Sequence, residues 1–573
     1  MPKTPRPPRP AAPAPRIANS LLATTGAQAL AQVFQRATEA FRRGDRGEVE
    51  RLCRHILAAN ADHYDALTLL GIVAAQSQRP TEAVALLSRA AALRPGHAEA
   101  HNDLGIVLLG YGRHAEALAC FDRALLVKPD YAEALNNRGM ALRNPGRHDE
   151  ALACFDRALL LKPDYAEAHN NRGVTLCDLS RLEEAIASFD RALSLRPVYA
   201  EALNNCGVAL VSVGRPGDAI ERFDRALAIR PDDAMAMNNR GSALRDLRRN
   251  DEALASYERA VTLAPDFAVI HWDLALFRLL LGDFARGWLE NEWRWKQPSW
   301  AASRRDFAQP LWLGAEPLDG KTLLLYHEQG LGDTLQFCRY ARLAAARGAR
   351  VVLVVQPPLV PLLTGLDGVA DVLPTHAALP TFDFHCPLLS LPLAFGTRLE
   401  TIPPPIAPRS DPTRVAAWHE RLGEKTRPRI GLAWSGNPRF RNDRNRSITL
   451  AELVPLLAED LEWIGLQKDV PAADASVLAA HTNIRHIGAD FADTAALVEL
   501  TDLVITVDTS IGHLAATMGK PVWILLSFNG EWRWMQDRDD SPWYPTVRLF
   551  RQPTLGDWAS VVERVRGELA ALA

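Results

Sequence analysis

The stretch "HAEALACFDRALLVKPDYAEALNNRGMALRNPGR", His114 to Arg147, is followed at once by "HDEALACFDRALLLKPDYAEAHNNRGVTLCDLSR", His148 to Arg181, which nearly copies it. The step is 34 residues, and it continues on both sides of this pair. Pro95, Pro129, Pro163, Pro197, Pro231 and Pro265 keep it, as do Gly71, Gly105, Gly139, Gly173, Gly207 and Gly241. A fixed period of this length marks stacked supersecondary units, so repetition decides the fold of the first half.

Each unit carries a small residue at Ala83, Ala117, Ala151, Ala185, Ala219 and Ala253, and a second at Ala90, Ala124, Ala158, Ala192, Ala226 and Ala260. Aromatics lie between them at Phe121, Phe155, Phe189, Phe223 and Tyr257. Small residues let two helices approach closely, and the aromatic fills the space beside them. The pattern resembles the tetratricopeptide repeat, a helix-turn-helix unit that stacks into a right-handed superhelix. Six clear units cover residues 64–267, within an array expected over residues 19–297 with a degenerate unit at about 30–63 and a closing one in "AVIHWDLALFRLLLGDFARGWLENEWRWK". Such an array exposes a concave groove, normally a binding surface.

Paired asparagines open several units: Asn136 and Asn137, Asn170 and Asn171, Asn204 and Asn205, Asn238 and Asn239. Asparagine is a poor helix former with both a donor and an acceptor, and two readings compete. One has the asparagines bridge neighbouring helices. The other has Asn137, Asn171, Asn205 and Asn239 form a file of amides that binds the backbone of a peptide acceptor. The second is how O-linked N-acetylglucosamine transferases use an asparagine ladder at the similar repeat position.

The balance of 65 Lys plus Arg against 68 Asp plus Glu leaves a formal charge of -3, which gives no general affinity for nucleic acid. Apolar and charged fractions of 48% and 23% are those of soluble globular chains. Seven cysteines without CxxC pairs argue against a zinc site and a disulfide framework. Residues 1–18 open with "MPKTPRPPRPAAPAPR", a Pro/Arg-rich tail expected to be disordered and not a signal peptide. No apolar run is long enough to span a bilayer, so a cytoplasmic chain is expected.

After about residue 298 the period stops, and short apolar strands alternate with helical stretches, the signature of parallel α/β sheets. The proline-rich "TIPPPIAPRSDP" separates two halves, residues 298–407 and 408–573. The expected fold class is therefore an α-solenoid followed by two doubly wound parallel sheets, with ligands at the carboxyl ends of the strands.

In the first half, "HEQGLGD" follows the strand "TLLLY" and holds Gly330, Gly332 and Asp333. Asp333 reads either as a helix-capping acid or as a carboxylate able to take a proton from an attacking hydroxyl. "GEKT", Gly423 to Thr426, lacks the spaced glycine of a P-loop. In the second half, "SGNPRFRNDRNRSITL" carries Arg439, Arg441, Arg444 and Arg446 ahead of a capping box at Thr449 and Glu452. Charge runs usually mark solvated loops, yet guanidinium groups beside a helix N-terminus suit a diphosphate. "DLVITVDTSIGHLAATMGKP" puts Asp508 at a strand end and starts a helix at Thr509 or Ser510, with His513 in its first turn. The helix dipole there favours a neutral His513 able to donate to ligand oxygen.

Together these two motifs resemble the ADP-heptose-using heptosyltransferase family, of the two-domain GT-B fold, over roughly residues 320–550. The architecture is also similar to O-linked N-acetylglucosamine transferases. The resemblance implies a glycosyltransferase, inverting and metal-independent, that uses a nucleotide-diphospho-sugar as co-substrate and needs no cofactor. Asp333 would act as base, and Gly330, Gly332, Arg444, Arg446, Asp508, Thr509, Ser510 and His513 would bind the donor. The repeat groove would present the acceptor, with protein or peptide the candidate. The lysine that heptosyltransferases carry after the first strand of their second half has no clear counterpart. Lys468 in "GLQKD" matches the lysine of the other family by position only. The aromatic segment from Phe528 to Tyr544 reads mainly as a staple, with Trp532 and Arg533 the candidate exceptions. Asp537 and Asp539 read as an acidic turn, and no metal is expected. The alternatives are a non-catalytic repeat scaffold with a degenerate transferase-like domain, and a transferase acting on lipid or polysaccharide.

Overall fold

The computed structural model describes residues 25–144, 146–301, 304–438 and 443–571. The proline- and arginine-rich tail at 1–18 lies outside these, as do Arg439, Arg441 and the side chain of Arg444.

Sixteen helices run as eight successive pairs from Thr25–Arg42 to Phe284–Asn291, so the degenerate first unit and the closing unit both form helix pairs. The recurrent glycine and aromatic are one device. A Cβ on Gly105 would stand 2.5 Å from Phe121 Cε1, and Gly139, Gly173 and Gly207 meet Phe155, Phe189 and Phe223 at 2.5–2.7 Å in the same way. The ring rests on the bare backbone of the partner helix, and any larger residue would force the pair apart. The turn inside each pair needs one left-handed residue. Gly112, Gly146, Gly214 and Gly282 supply it, while Gln78, Ser180 and Arg248 adopt positive φ at the same repeat position without glycine.

The asparagine file links one repeat to the next. Asn137 Nδ2 donates to Asn102 Oδ1 at 2.9 Å, Asn171 to Asn136 at 2.9 Å, Asn205 to Asn170 at 3.1 Å and Asn239 to Asn204 at 3.0 Å. All four donors are buried. The helix-bridging reading is therefore the one realised. Each of these amides is thus engaged along the stack through one Nδ2 bond.

The chain divides into two compact units, residues 2–243 and 244–573. The helix pairs themselves continue to Asn291, so this division by packing falls inside the array and not at its expected end. The last helices, Asn250–Leu263, Ala268–Leu280 and Phe284–Asn291, belong with the α/β part because their side chains are built into it. Trp288 packs edge-on against Trp532 at 5.3 Å and against Phe337 and Trp543. Arg248 pairs with Asp537 at 2.9 Å, which gives the DxD turn a structural partner.

Two all-parallel sheets follow. The first contains β1 (Thr322–Tyr326), β2 (Arg350–Val355), β3 (Asp371–Pro374) and β4 (Phe384–Pro387), in the order β3-β2-β1-β4. The second contains β5 (Arg429–Ala433), β6 (Glu462–Gly465), β7 (Ile484–His486), β8 (Leu503–Val507), β9 (Val522–Leu526) and β10 (Val547–Arg551), in the order β10-β9-β8-β5-β6-β7. Counted from β5, this is the 3-2-1-4-5-6 order of doubly wound nucleotide-binding sheets. Strands β1, β2, β5, β8 and β9 are almost wholly buried, as helices on both faces require. Each sheet reverses direction beside its first strand, between β1 and β4 and between β5 and β8, and the crevice at such a point is where these sheets take ligands.

Candidate functional site

The loops leaving β1, β5 and β8 carry the residues singled out from the sequence, and the fold brings the first and last of them into contact. The helix Leu331–Phe337, after β1, packs on the helix Ser510–Thr517, after β8. A Cβ on Gly332 would fall 2.7 Å from His513 Cδ2, so the first motif touches the second directly and glycine is what permits it.

The two oxygens of Asp333 have different partners. Oδ2 accepts from the Gly330 N–H at 2.9 Å, a capping bond that fixes the loop. Oδ1 is ion-paired with Arg533. Burial pushes the carboxyl above the ordinary range, against the pull of Arg533.

Asp508 ends β8 and is 7% exposed. Its backbone carbonyl accepts from Arg446 Nη1 at 2.9 Å, which joins the β5 loop to the β8 loop across the switch point. The Trp534 indole stands beside the Asp508 carboxylate and lowers its pKa. Burial and then Glu531 push the Asp508 carboxyl up to about 6, against Arg446 and Arg533.

His513 is buried, with Nδ1 2.9 Å from the Tyr544 hydroxyl and Trp534 stacked at 5.4 Å. Burial first, and then Arg533, Arg339 and Arg446, hold it well below the usual histidine range, so the ring is neutral. Neutrality was expected from the helix dipole; desolvation and three guanidinium groups are the larger causes. Thr509 is the N-cap of this helix, without a side-chain capping bond; its hydroxyl lies 3.1 Å from that of Thr506. Ser510 begins the helix half-buried. Arg446 also pairs with Asp443 at 3.0 Å. Thr449 and Glu452 form the expected capping box, with Glu452 Oε2 accepting from the Thr449 N–H at 3.1 Å. Lys468 is exposed on the loop after β6.

Three buried arginines organise the site. Arg533 donates from Nε to Gln336 Oε1 at 2.8 Å and pairs through its terminal nitrogens with Asp333 and Glu531. Arg339 donates to the carbonyls of Gln336, Pro403 and Trp543 at 2.6, 3.0 and 2.7 Å, tying the proline-rich connection to the C-terminal segment. Arg294, on the turn Glu292–Lys296 that closes the array, pairs with Glu328 at 3.0 Å and donates to Ser390 Oγ at 2.7 Å. Glu328 belongs to "HEQGLGD", so the last repeat anchors the loop that carries Asp333. Only Arg533 carries a signal in the sequence, its place among clustered tryptophans; the partners of Arg339 and Arg294 lie tens to hundreds of residues away. Trp532, 8% exposed, belongs to the staple with Trp288 and Trp543.

Among the described residues, no group of three or more His, Cys, Asp or Glu side chains could hold a metal ion, and no helix is long and apolar enough to cross a membrane.

Family models described as tetratricopeptide repeat match residues 29–98, 74–137, 130–197, 164–232, 207–268 and 244–286. Protein FlbA of Caulobacter vibrioides is 28% identical over 330 residues, 52% of this chain and 54% of that protein. The chain thus spans about half the length of the curated relative it matches. Solved structures similar to it include a tetratricopeptide repeat protein from Parabacteroides merdae, 17% identical, covering 44% of this chain and 99% of that one with a TM-score of 0.38. A thermophilic repeat protein of Thermus thermophilus is 25% identical and covers 32% and 99%, with a TM-score of 0.29. Unbroken repeat matches over residues 29–286, on helices paired as that unit requires, make the first half of this chain an array of tetratricopeptide repeats.

Proposed function

We propose that residues 298–573 form a GT-B glycosyltransferase that moves a sugar from a nucleotide-diphospho-sugar to an acceptor hydroxyl, with the repeat array presenting a protein or peptide acceptor. One observation carries this reading: the crevice loops of two parallel sheets meet, with Gly332 against His513 and with Arg533 paired to Asp333 while its charge acts on Asp508. The N-terminus of the helix Ser510–Thr517, which follows Asp508 and lies beside Arg446, suits a diphosphate. Neutral His513, with Nδ1 occupied by Tyr544, offers Nε2 to ligand oxygen. The acceptor oxygen bonds to the anomeric carbon as the bond from that carbon to the phosphate oxygen breaks. The hydroxyl proton passes to Asp333, and the nucleoside diphosphate leaves with the electron pair. A single displacement of this kind inverts the anomeric centre.

The rival reading is a non-catalytic repeat scaffold, and the Asp333–Arg533 ion pair favours it, because a carboxylate so engaged is a weaker base. Incubation of the whole chain with a panel of nucleotide sugars, following nucleoside diphosphate release, separates the two. On the transferase reading Asp333→Ala abolishes release and His513→Ala mainly raises KM. Absence of binding or release with every donor and candidate acceptor would overturn it in favour of the scaffold.

A further inference from the structure

The three cations whose charge acts on His513 differ in what they hold. Arg339 is committed to three backbone carbonyls, and Arg446 to the Asp508 carbonyl and Asp443. Arg533 is the one whose two terminal nitrogens both face carboxylates, Asp333 and Glu531, while Gln336 fixes its Nε. A phosphate presents the same paired oxygens to a guanidinium fork as a carboxylate does, with more charge. The fork is 6% exposed and close enough to Asp508 and His513 for its charge to act on both. A diphosphate entering beside Asp508 therefore meets the carboxylates of Asp333, Asp508 and Glu531 together with the guanidinium groups of Arg533, Arg446 and Arg551, and of these Arg533 is the one paired with Asp333.

We infer that the diphosphate of the donor competes with Asp333 for the terminal nitrogens of Arg533, so that donor binding draws the arginine away and frees the Asp333 carboxylate to act as base. This inference rests on the proposed transferase reading and adds an order to it: the base is released only once the donor is seated, which protects the site from idle deprotonation. Arg533 pivots on its Nε–Gln336 hydrogen bond and exchanges the Asp333 carboxylate for the diphosphate, so the guanidinium stays paired while Asp333 is set free.

The test is calorimetric titration of the whole chain with UDP, GDP and ADP, comparing wild type with Asp333→Asn, Arg533→Gln, Arg533→Lys and the Asp333→Asn/Arg533→Gln double variant. Asparagine keeps an oxygen for the Gly330 N–H, so the loop retains its cap. The expected result is that Asp333→Asn binds the diphosphate about tenfold more tightly, since its competitor is gone, and that Arg533→Gln binds at least about tenfold more weakly. The gain from Asp333→Asn vanishes when Arg533 is glutamine. A gain of the same size in the Arg533→Gln background would mean simple relief of repulsion and would overturn the exchange, as would equal or weaker binding by Asp333→Asn. Should Arg533→Gln fail to fold, Arg533→Lys decides, because a lysine cannot bridge two oxygens as a fork and the Asp333→Asn gain should shrink in its background. Absence of binding of all three nucleoside diphosphates to wild type and to Asp333→Asn would sink the transferase reading and the exchange together.

Discussion

Replacing Arg294 by methionine removes a guanidinium whose side chain is wholly buried and bonded to Glu328, Glu292, Ser390 and the Asn291 carbonyl. Glu328 is just as buried, and without Arg294 it keeps one partner, the Leu389 N–H at 3.0 Å. Breaking a desolvated pair from one side costs about 3–5 kcal/mol, because the remaining charge is stranded. The cost depends on pH with a definite sign. Burial already pushes the Glu328 carboxyl from 4.5 to about 7 against the pull of Arg294, and losing the arginine raises it further. A folded-state carboxyl raised above its unfolded value binds its proton more tightly in the folded chain, so stability falls as pH climbs from the unfolded pKa through the folded one. The deficit of Arg294→Met relative to wild type therefore opens above about pH 7, where the wild-type carboxyl ionises and the variant's still holds its proton. All 14 tryptophans lie between Trp272 and Trp558, so urea unfolding followed by tryptophan fluorescence reads the unit that contains this pair. Adding Glu328→Gln should return stability to within about 2 kcal/mol of wild type, since an uncharged amide no longer needs a cation. A loss below about 1 kcal/mol at pH 8, or a double variant no better than Arg294→Met, would refute the claim that the last repeat is clamped to the loop bearing Asp333.

Gly332→Ala drives a methyl to 2.7 Å from His513 Cδ2 and should cost about 1–3 kcal/mol while reducing nucleoside diphosphate affinity, both checked by thermal unfolding and calorimetry. Asn205→Ala removes the donor that Asn170 Oδ1 accepts at 3.1 Å and should destabilise the array by about 1–3 kcal/mol. Far-UV circular dichroism should register that loss, since no tryptophan lies before Trp272. Asp508→Asn should stabilise the chain above pH 6 but not near pH 4: the gap between about 6 and the ordinary 3.8 corresponds to at most roughly 3 kcal/mol of burial cost that an amide escapes. Equal effects at both pH values would show that Asp508 is not desolvated as described.

Much of this was open to reading because it is local. The helix pairs follow from a 34-residue period whose glycine and aromatic must meet, and the strands from apolar runs ending in "HEQGLGD", "SGNPRF" and "DTSIGH". The Thr449 and Glu452 capping box needs only three residues of separation, and it forms as written. The asparagine file was legible as a pattern but ambiguous in meaning, since one spacing serves a bridge between helices and a groove for a peptide. The end of the repeats near residue 290 is legible in composition, whereas the division of packing at Leu244 is decided by Trp288, Arg248 and Arg294, whose partners lie far along the chain.

By itself the sequence determined the repeat array, the alternation of strands and helices behind it and the loops on which Asp333, Asp508 and His513 stand, because short-range periodicity and turn chemistry suffice for these. Only the tertiary structure decided that Gly332 lies on His513, that Arg533 holds Asp333, and that the last repeats belong to the α/β unit. Those are contacts between residues as many as 289 positions apart, selected by burial and charge pairing in a folded interior, and no local pattern encodes which arginine will meet which carboxylate.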